Sequence, residues 1–319
     1  MRPSFNTGTN YKGTIMTLAI SPHLDHDLWL KARLKSIGAS EAGSVLGVPD
    51  AYETPLQVWG RKVGRLPMSS EPTQAMEWGN RLEPVIAKAY EEKSGNKLIK
   101  QQLFLSSGHL SATLDGIDDT NTIVEFKSIS ERRAAQVLGD EDTQDIPLTW
   151  ILQAHQQMYC ARESGLEDHG TDGDCVTFAV LVGGNQYRTY SVPWNQRLWN
   201  NAQPRMDAFW NEYVIPKIAP PIAGSSDAQA LTKIYGQTIG TIYLNDEVAQ
   251  AAERWEDLGR QVSELNKLRD ADKARLLEAM TDHQIGVLPN GRKLKRSVCI
   301  RKEYTVAPTQ YINISLSRS

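Results

Sequence analysis

Cysteine is scarce in this chain: Cys160, Cys175 and Cys299 are the only three in 319 residues, and they are scattered. Three dispersed thiols cannot build a four-cysteine zinc or iron–sulfur site, and they read as reduced thiols rather than a disulfide framework. No apolar run approaches the ~20 residues that span a bilayer, so no membrane role is expected. The opening stretch MRPSFNTGTNYKGTIMTLAIS lacks an apolar stretch followed by a cleavage site, so no secretory signal is expected and a cytoplasmic protein is. Positive charge is not in excess either; the net charge is −3. That argues against a globally basic nucleic-acid binder, while leaving room for a locally basic channel. There is no internal repeat. What remains, 40% hydrophobic and 23% charged residues, is the composition of an ordinary globular chain. Its length suffices for one sizeable domain plus an appendage.

Residues 1–22 read as a loose arm. Short helices are expected at Asp27–Leu34, at Ser40–Leu46 with Ser40 as N-cap and Gly47 past its end, and at Thr54–Val63 with Pro55 in the first turn. Met76, Leu82, Val85, Ile86 and Tyr90 recur at helical spacing between Gln74 and Ser94, and Gly95 ends that helix. Strands are expected at Lys97–Leu105, His109–Ile117 and Thr122–Ser128, then a polar loop and a helix near Trp150–Ala161. An acidic loop (163–174), a hairpin of Val176–Gly183 and Gln186–Val192, and a helix at Gln196–Tyr213 follow. Pro216–Ser226 reads as a linker. Beyond it Val248, Trp255, Leu258, Val262, Leu265 and Leu276 keep a near-heptad rhythm along one long helix, and a hairpin turns about Pro289-Asn290-Gly291. The fold class is therefore α+β: an arm (1–22), a core (23–218) and a C-terminal helix-plus-hairpin extension (219–319).

The chemistry-bearing pattern lies in two consecutive strands. HLSATLDGI carries Asp115 and TIVEFKS carries Glu125 and Lys127. Residues two apart on a strand share a face, so Glu125 and Lys127 project together while Phe126 turns away and leaves its carbonyl free. Two carboxylates and a lysine at a sheet edge suit a divalent cation with a positive charge beside an attacking water, which is what phosphodiester cleavage requires. The same residues also suit a plain hairpin with a surface Glu–Lys pair.

Read in order, WLKARLKSIGASEAGSVLG, MEWGNRLEPVIAKAYEEKSG, HLSATLDGI, TIVEFKS and WILQAHQQMYC resemble the YqaJ-type viral recombinase / lambda exonuclease family within the PD-(D/E)XK nucleases, over roughly residues 29–215. The resemblance implies a restriction-endonuclease-like core with a central mixed sheet. It implies an Mg²⁺-dependent 5′→3′ double-stranded DNA exonuclease with two ions (Mn²⁺ substituting), leaving 3′ single-stranded overhangs for recombination. It also implies duplex ends bearing 5′-phosphate as substrate, a ring-shaped homotrimer, a single-strand annealing partner, and action in the cytoplasm of a bacterial host. By position, Asp115, Glu125, Lys127 and Gln153 match the catalytic set, with Asp115, Glu125, the Phe126 carbonyl and Glu83 as metal ligands. Gln157, one turn from Gln153 on the same face, leaves the choice of glutamine open. Arg33, Ser40, Thr113 and Arg133 match the residues that hold the 5′-phosphate, with Arg132 able to stand in for Arg133. Arginine offers a charged fork to phosphate, and a helix N-terminus at Ser40 would add free N–H groups.

Leu114 stands where many relatives have proline. The arm, the acidic loop and the tail from about 219 have no counterpart in lambda exonuclease. A same-fold endonuclease and a non-catalytic DNA-end-binding module are the alternative readings. His23 and His26 are set aside as a metal pair, and His155 reads as structural. Arg292, Lys293, Lys295, Arg296, Arg301 and Lys302 form a solvated strand face or a DNA-backbone contact. The seam of the long helix reads as packing against its own hairpin.

Overall fold

A computed structural model describes residues 26–49, 51–67, 73–141, 143–166, 174–237 and 240–300. The expected arm, most of the acidic loop, His23, Arg301 and Lys302 lie outside the described residues. The first unit begins with α1 (His26–Leu34), β1 (Ile37–Gly38), a 3₁₀ turn (Ala39–Glu41), α2 (Ala42–Val45), α3 (Pro55–Lys62) and α4 (Gln74–Ser94). There follow β2 (Leu98–Ser107), β3 (Leu110–Asp118), β4 (Ile123–Ile129), α5 (Glu131–Val137) and α6 (Leu148–Glu163). The hairpin of β5 (Cys175–Val182) and β6 (Gln186–Pro193), then α7 (Gln196–Phe209) and α8 (Asp227–Ile234), complete it.

The expected α+β class is observed, with one central mixed sheet of six strands flanked by helices. Strand β5, CVTFAVLV, reads as a near-continuous apolar run because it lies between parallel β4 and antiparallel β6 with both faces covered. Alternation along β4 divides its side chains between those faces. Val124 and Phe126 pack with Ile86, Ala87 and Tyr90 of α4, and Ile123 joins the larger core that holds Ala154 and Met158 of α6. Glu125 and Lys127 share the α6 side with Ile123.

Strand β3 is bordered along one edge by antiparallel β2 for almost its whole length. A strand has two edges, so its remaining neighbours share the other one. Parallel β1 pairs with Leu110 and Ser111 there, and antiparallel β4 pairs only with Gly116 and Ile117. Residues 112–115 therefore face a gap in the sheet, and it opens where Asp115 and Glu125 begin to diverge.

Several elements differ from expectation. Ser40 is no N-cap: it lies inside the 3₁₀ turn, and the N-cap is Gly38, whose own N–H donates to the Glu41 carboxylate at 2.7 Å. The expected polar loop after β4 contains α5, capped by Ser130, whose hydroxyl accepts from the Arg133 N–H. The core does not stop at 218. Asp227, fully buried, accepts from the Ala223 N–H at 2.6 Å and from the Thr54 hydroxyl, and Ala230 and Ile234 of α8 join the main core. The break between compact units falls after Tyr235.

The second unit holds α9 (Asp246–Met280), capped by Asn245, and the hairpin of β7 (Ile285–Val287) and β8 (Lys293–Lys295). Its heptad seam is not packed against that hairpin as expected: Trp255, Leu258, Val262 and Leu265 are all more than half exposed. Length explains this. A 35-residue helix is about 52 Å long, while three-residue strands reach about 10 Å, enough to cover Met280 alone at the helix end. Among the described residues no helix is long and apolar enough to cross a membrane. We expect a chain ending after Tyr235 to keep the first unit's full stability, whereas one ending after Ile218 loses at least about 3 kcal/mol from two buried apolar side chains and the Asp227 hydrogen bonds. Urea unfolding of the two truncations measures the difference.

Candidate active site

The gap between β3 and β4 is filled by side chains. Asp115 reaches into it and accepts the Phe126 N–H through Oδ2 at 2.9 Å, taking the place of the missing strand partner. The N–H and C=O of one strand residue point to the same edge, so the Phe126 carbonyl faces this gap as well. Lys127 donates from Nζ to Glu125 Oε1 at 2.5 Å and to Gln153 Oε1 at 3.2 Å. Gln153 Nε2 returns to Glu125 Oε1 at 2.6 Å, and Gln157 Nε2 donates to the other oxygen, Oε2, at 2.6 Å. Both glutamines that the sequence left as alternatives thus touch the same buried carboxylate.

Electrostatics follows from this crowding. Burial, then the Glu125 charge and more weakly that of Glu83, push the Asp115 carboxyl well above the usual carboxylate range, against the pull of Lys127 and the Phe126 N–H. Burial alone would lower the Lys127 ammonium, but Glu125, Asp115 and Glu83 outweigh it and hold it above its ordinary value. Among the described residues no three His, Cys, Asp or Glu side chains are gathered into a finished ligand cage. The donor set nevertheless fits a hard divalent cation: carboxylate oxygens of Asp115, Glu125 and Glu83 and one carbonyl, carrying a mutual repulsion that a cation would relieve.

Two cavities meet at this cluster. One, of about 280 Å³, is lined by Arg33, Ser40, Glu83, Thr113, Asp115 and Gln153, together with Trp29, Asn80 and Gln102. The other, of about 490 Å³, is lined by Ser40, Lys127, Arg133 and Gln153, with Tyr52 and Trp150. Of the expected phosphate-binding residues, Arg33, Ser40 and Thr113 line the first cavity together, and Arg133 lines the second with Lys127. Arg33 sits over the Trp29 ring, 4.8 Å from its centroid, with Nη2 3.4 Å from Ser40 Oγ, and Trp29 donates to Thr113 Oγ1 at 3.1 Å.

Sequence reasoning passed over Gln102. Its neighbours pair as Gln101 with Gly116 and Leu103 with Leu114, so it stands across from Asp115, and its φ is +54°. That left-handed conformation is costly for a residue with a side chain. It accompanies an Nε2 contact to Glu83 Oε2 at 3.2 Å. The buried acid Glu41 was missed too. It takes Lys62 at 2.6 Å, Arg61 at 2.9 Å and the Gly38 N–H, while Lys62 also donates to the Arg33 carbonyl at 2.8 Å. This group supports the backbone beneath Arg33. Only the buried Glu at the end of SIGASE and the RK pair closing α3 could have hinted at it.

Residues 28–164 match the family described as YqaJ-like viral recombinase domain. The chain is 28% identical over 279 residues to the Bacillus subtilis (strain 168) protein named Uncharacterized protein YqaJ, covering 86% of this chain and 84% of that one. Among solved structures it is similar to the alkaline exonuclease LHK-Exo of Laribacter hongkongensis (TM-score 0.46, 17% identity, 60% of this chain and 94% of that one). It is also similar to a phage-related exonuclease of Haemophilus somnus (TM-score 0.42, 11% identity, 57% and 95%).

The Glu41 carboxyl gives this region a pH signature. Burial would raise it, but Lys62 and Arg33, with the hydrogen bonds from Lys62 and Gly38, hold it at about 2 against an ordinary 4.5. A carboxyl lowered on folding adds stability above its unfolded value and loses it as pH falls toward the folded one, here between about pH 4.5 and 2, while burial lowers the Lys62 ammonium and offsets part of that gain. We expect Glu41→Gln to cost about 3–5 kcal/mol at neutral pH, since Lys62 stays buried without its partner, and to flatten the acid limb of a urea-midpoint-versus-pH profile.

Proposed function

From the match of residues 28–164 to the YqaJ-like viral recombinase domain, we propose that the chain is a Mg²⁺-dependent exonuclease of the PD-(D/E)XK type. In this reading it digests one strand of duplex DNA 5′→3′ and leaves a 3′ overhang for strand annealing. The observation that carries it is the joining of two groups at one place: the Asp115–Glu125–Lys127–Gln153 cluster, and Arg33, Ser40 and Thr113 along the cavity into which Asp115 opens.

Asp115, Glu125 and the Phe126 carbonyl would hold one ion, and Asp115 with Glu83 a second, with Mn²⁺ able to replace Mg²⁺. When bound, the ions supply Lewis acidity to the phosphate and acidify water near neutral pH. Lys127, kept charged by its carboxylate neighbours, holds the attacking water's oxygen and balances charge on the phosphate, and Gln153 fixes the ammonium's direction. Water attacks phosphorus, the P–O3′ bond breaks, and the 3′ oxygen leaves with a proton as part of the released nucleotide. The strand that remains ends in a new 5′-phosphate, so the anchor of Arg33, Ser40 and Thr113 is offered the same group after every cut. Arg133, on the Lys127 side, meets the phosphates at the cut. The same family reading carries a ring-shaped homotrimer and a single-strand annealing partner.

Lys127→Ala is expected to lower cleavage of linear duplex by at least about 10³-fold while duplex-end affinity stays within about threefold. Retained turnover in that variant, or magnesium-dependent cutting of covalently closed circles by the unaltered protein, would refute the end-dependent mechanism. Arg33→Ala should slow digestion of 5′-phosphorylated ends by about 10–100-fold more than of 5′-hydroxyl ends, about 1.5–3 kcal/mol for one charged hydrogen-bonding group. Paired substrates carrying phosphate on one strand only give this ratio, with a chelator lane as the zero.

A further inference from the structure

The third and fourth polar residues of WILQAHQQ have different partners, and the difference assigns a role that the proposed mechanism leaves unused. Gln156 Nε2 donates to the carbonyls of Ile37 and Ser111, at 2.7 and 2.9 Å. It closes the end of the gap where β1 meets β3 and touches no acid. Gln157 Nε2 donates at 2.6 Å to Glu125 Oε2 and lies 3.5 Å from the Thr113 carbonyl. It spans the gap itself, from the strand that carries Asp115 to the strand that carries Glu125. Both amides are fully buried.

We propose that Gln157 is a positioning residue: it locks the Glu125 carboxylate in the orientation that shares a divalent cation with Asp115, and so sets the cation affinity of the site. This rests on the metal-dependent reading above. Two features favour it. Lys127 and Gln153 both approach Oε1 and fill its two lone-pair directions, so cation binding falls to Oε2, where Gln157 takes one direction and leaves one. Gln157 is neutral, so it orients the carboxylate without cancelling the charge that a cation needs, which a lysine there would do. Outer partners that orient a metal ligand typically change metal affinity about 10–100-fold when removed.

The test is Mn²⁺ binding to the full chain by titration calorimetry, without DNA, alongside thermal melting. Gln157→Leu should weaken Mn²⁺ binding at least about tenfold, while the KM for duplex ends under saturating Mn²⁺ stays unchanged. Gln156→Leu should lower the melting temperature and leave Mn²⁺ affinity as it was. If Gln157→Leu does not fold, Gln157→Asn, whose shorter amide falls short of Glu125, should show the same loss. Unaltered Mn²⁺ affinity in the folded Gln157 variant overturns this inference alone, and so does an equal loss in Gln156→Leu. Absence of Mn²⁺ binding to the unaltered chain overturns the metal-dependent reading and this inference with it.

Discussion

The interruption between β3 and β4 is the constraint from which the rest of the site follows. Two strands that pair over only two residues leave backbone groups facing each other across a gap, and a buried gap of that kind has to be filled by polar side chains. Asp115 fills one side by accepting the Phe126 N–H, and the amides of α6 fill the other. The same interruption therefore provides the space for chemistry and the reason why acids and amides, rather than valines, line the middle of a sheet. A fully zipped β3–β4 pair would bury the same residues with nothing to do.

Burial and charge act in opposite directions here, and the molecule resolves them differently at two neighbouring places. Around Glu41, cations outnumber the acid and the carboxyl is firmly ionised, which makes a rigid support. Around Asp115, acids crowd one another with a single ammonium among them, which leaves negative charge only partly balanced. The first arrangement pairs its charges within the protein. The second is costly unless something positive arrives, and it is the one that faces the cavity.

Much of the site was legible because it depends on short spacings. The two-residue period of a strand sufficed to set Glu125 and Lys127 on one face, and helical spacing brought Gln153 and Gln157 to one side of α6. Sheet-level facts were not legible: that β1 and β4 share an edge of β3, or that Gln102 comes to stand across from Asp115, depends on pairings between segments distant in sequence. Ser40 misled for a local reason. Its type and position suit an N-cap, but the turn begins one residue earlier at Ala39, so Gly38 takes the N-cap place and its N–H goes to Glu41. The end of the core was missed because PKIAPPIAGSS looks like a linker, whereas the acid just after it, Asp227, is what ties α8 down. The long helix was read correctly as an element, while its seam was assigned a hairpin too short to cover it.

The left-handed backbone at Gln102 has a further implication. Glycine or asparagine would take that conformation at lower cost, so glutamine there gives up some stability and places an amide beside Glu83. Selection of this chain for heat resistance alone would drift toward glycine at that position. Selection for turnover would drift back.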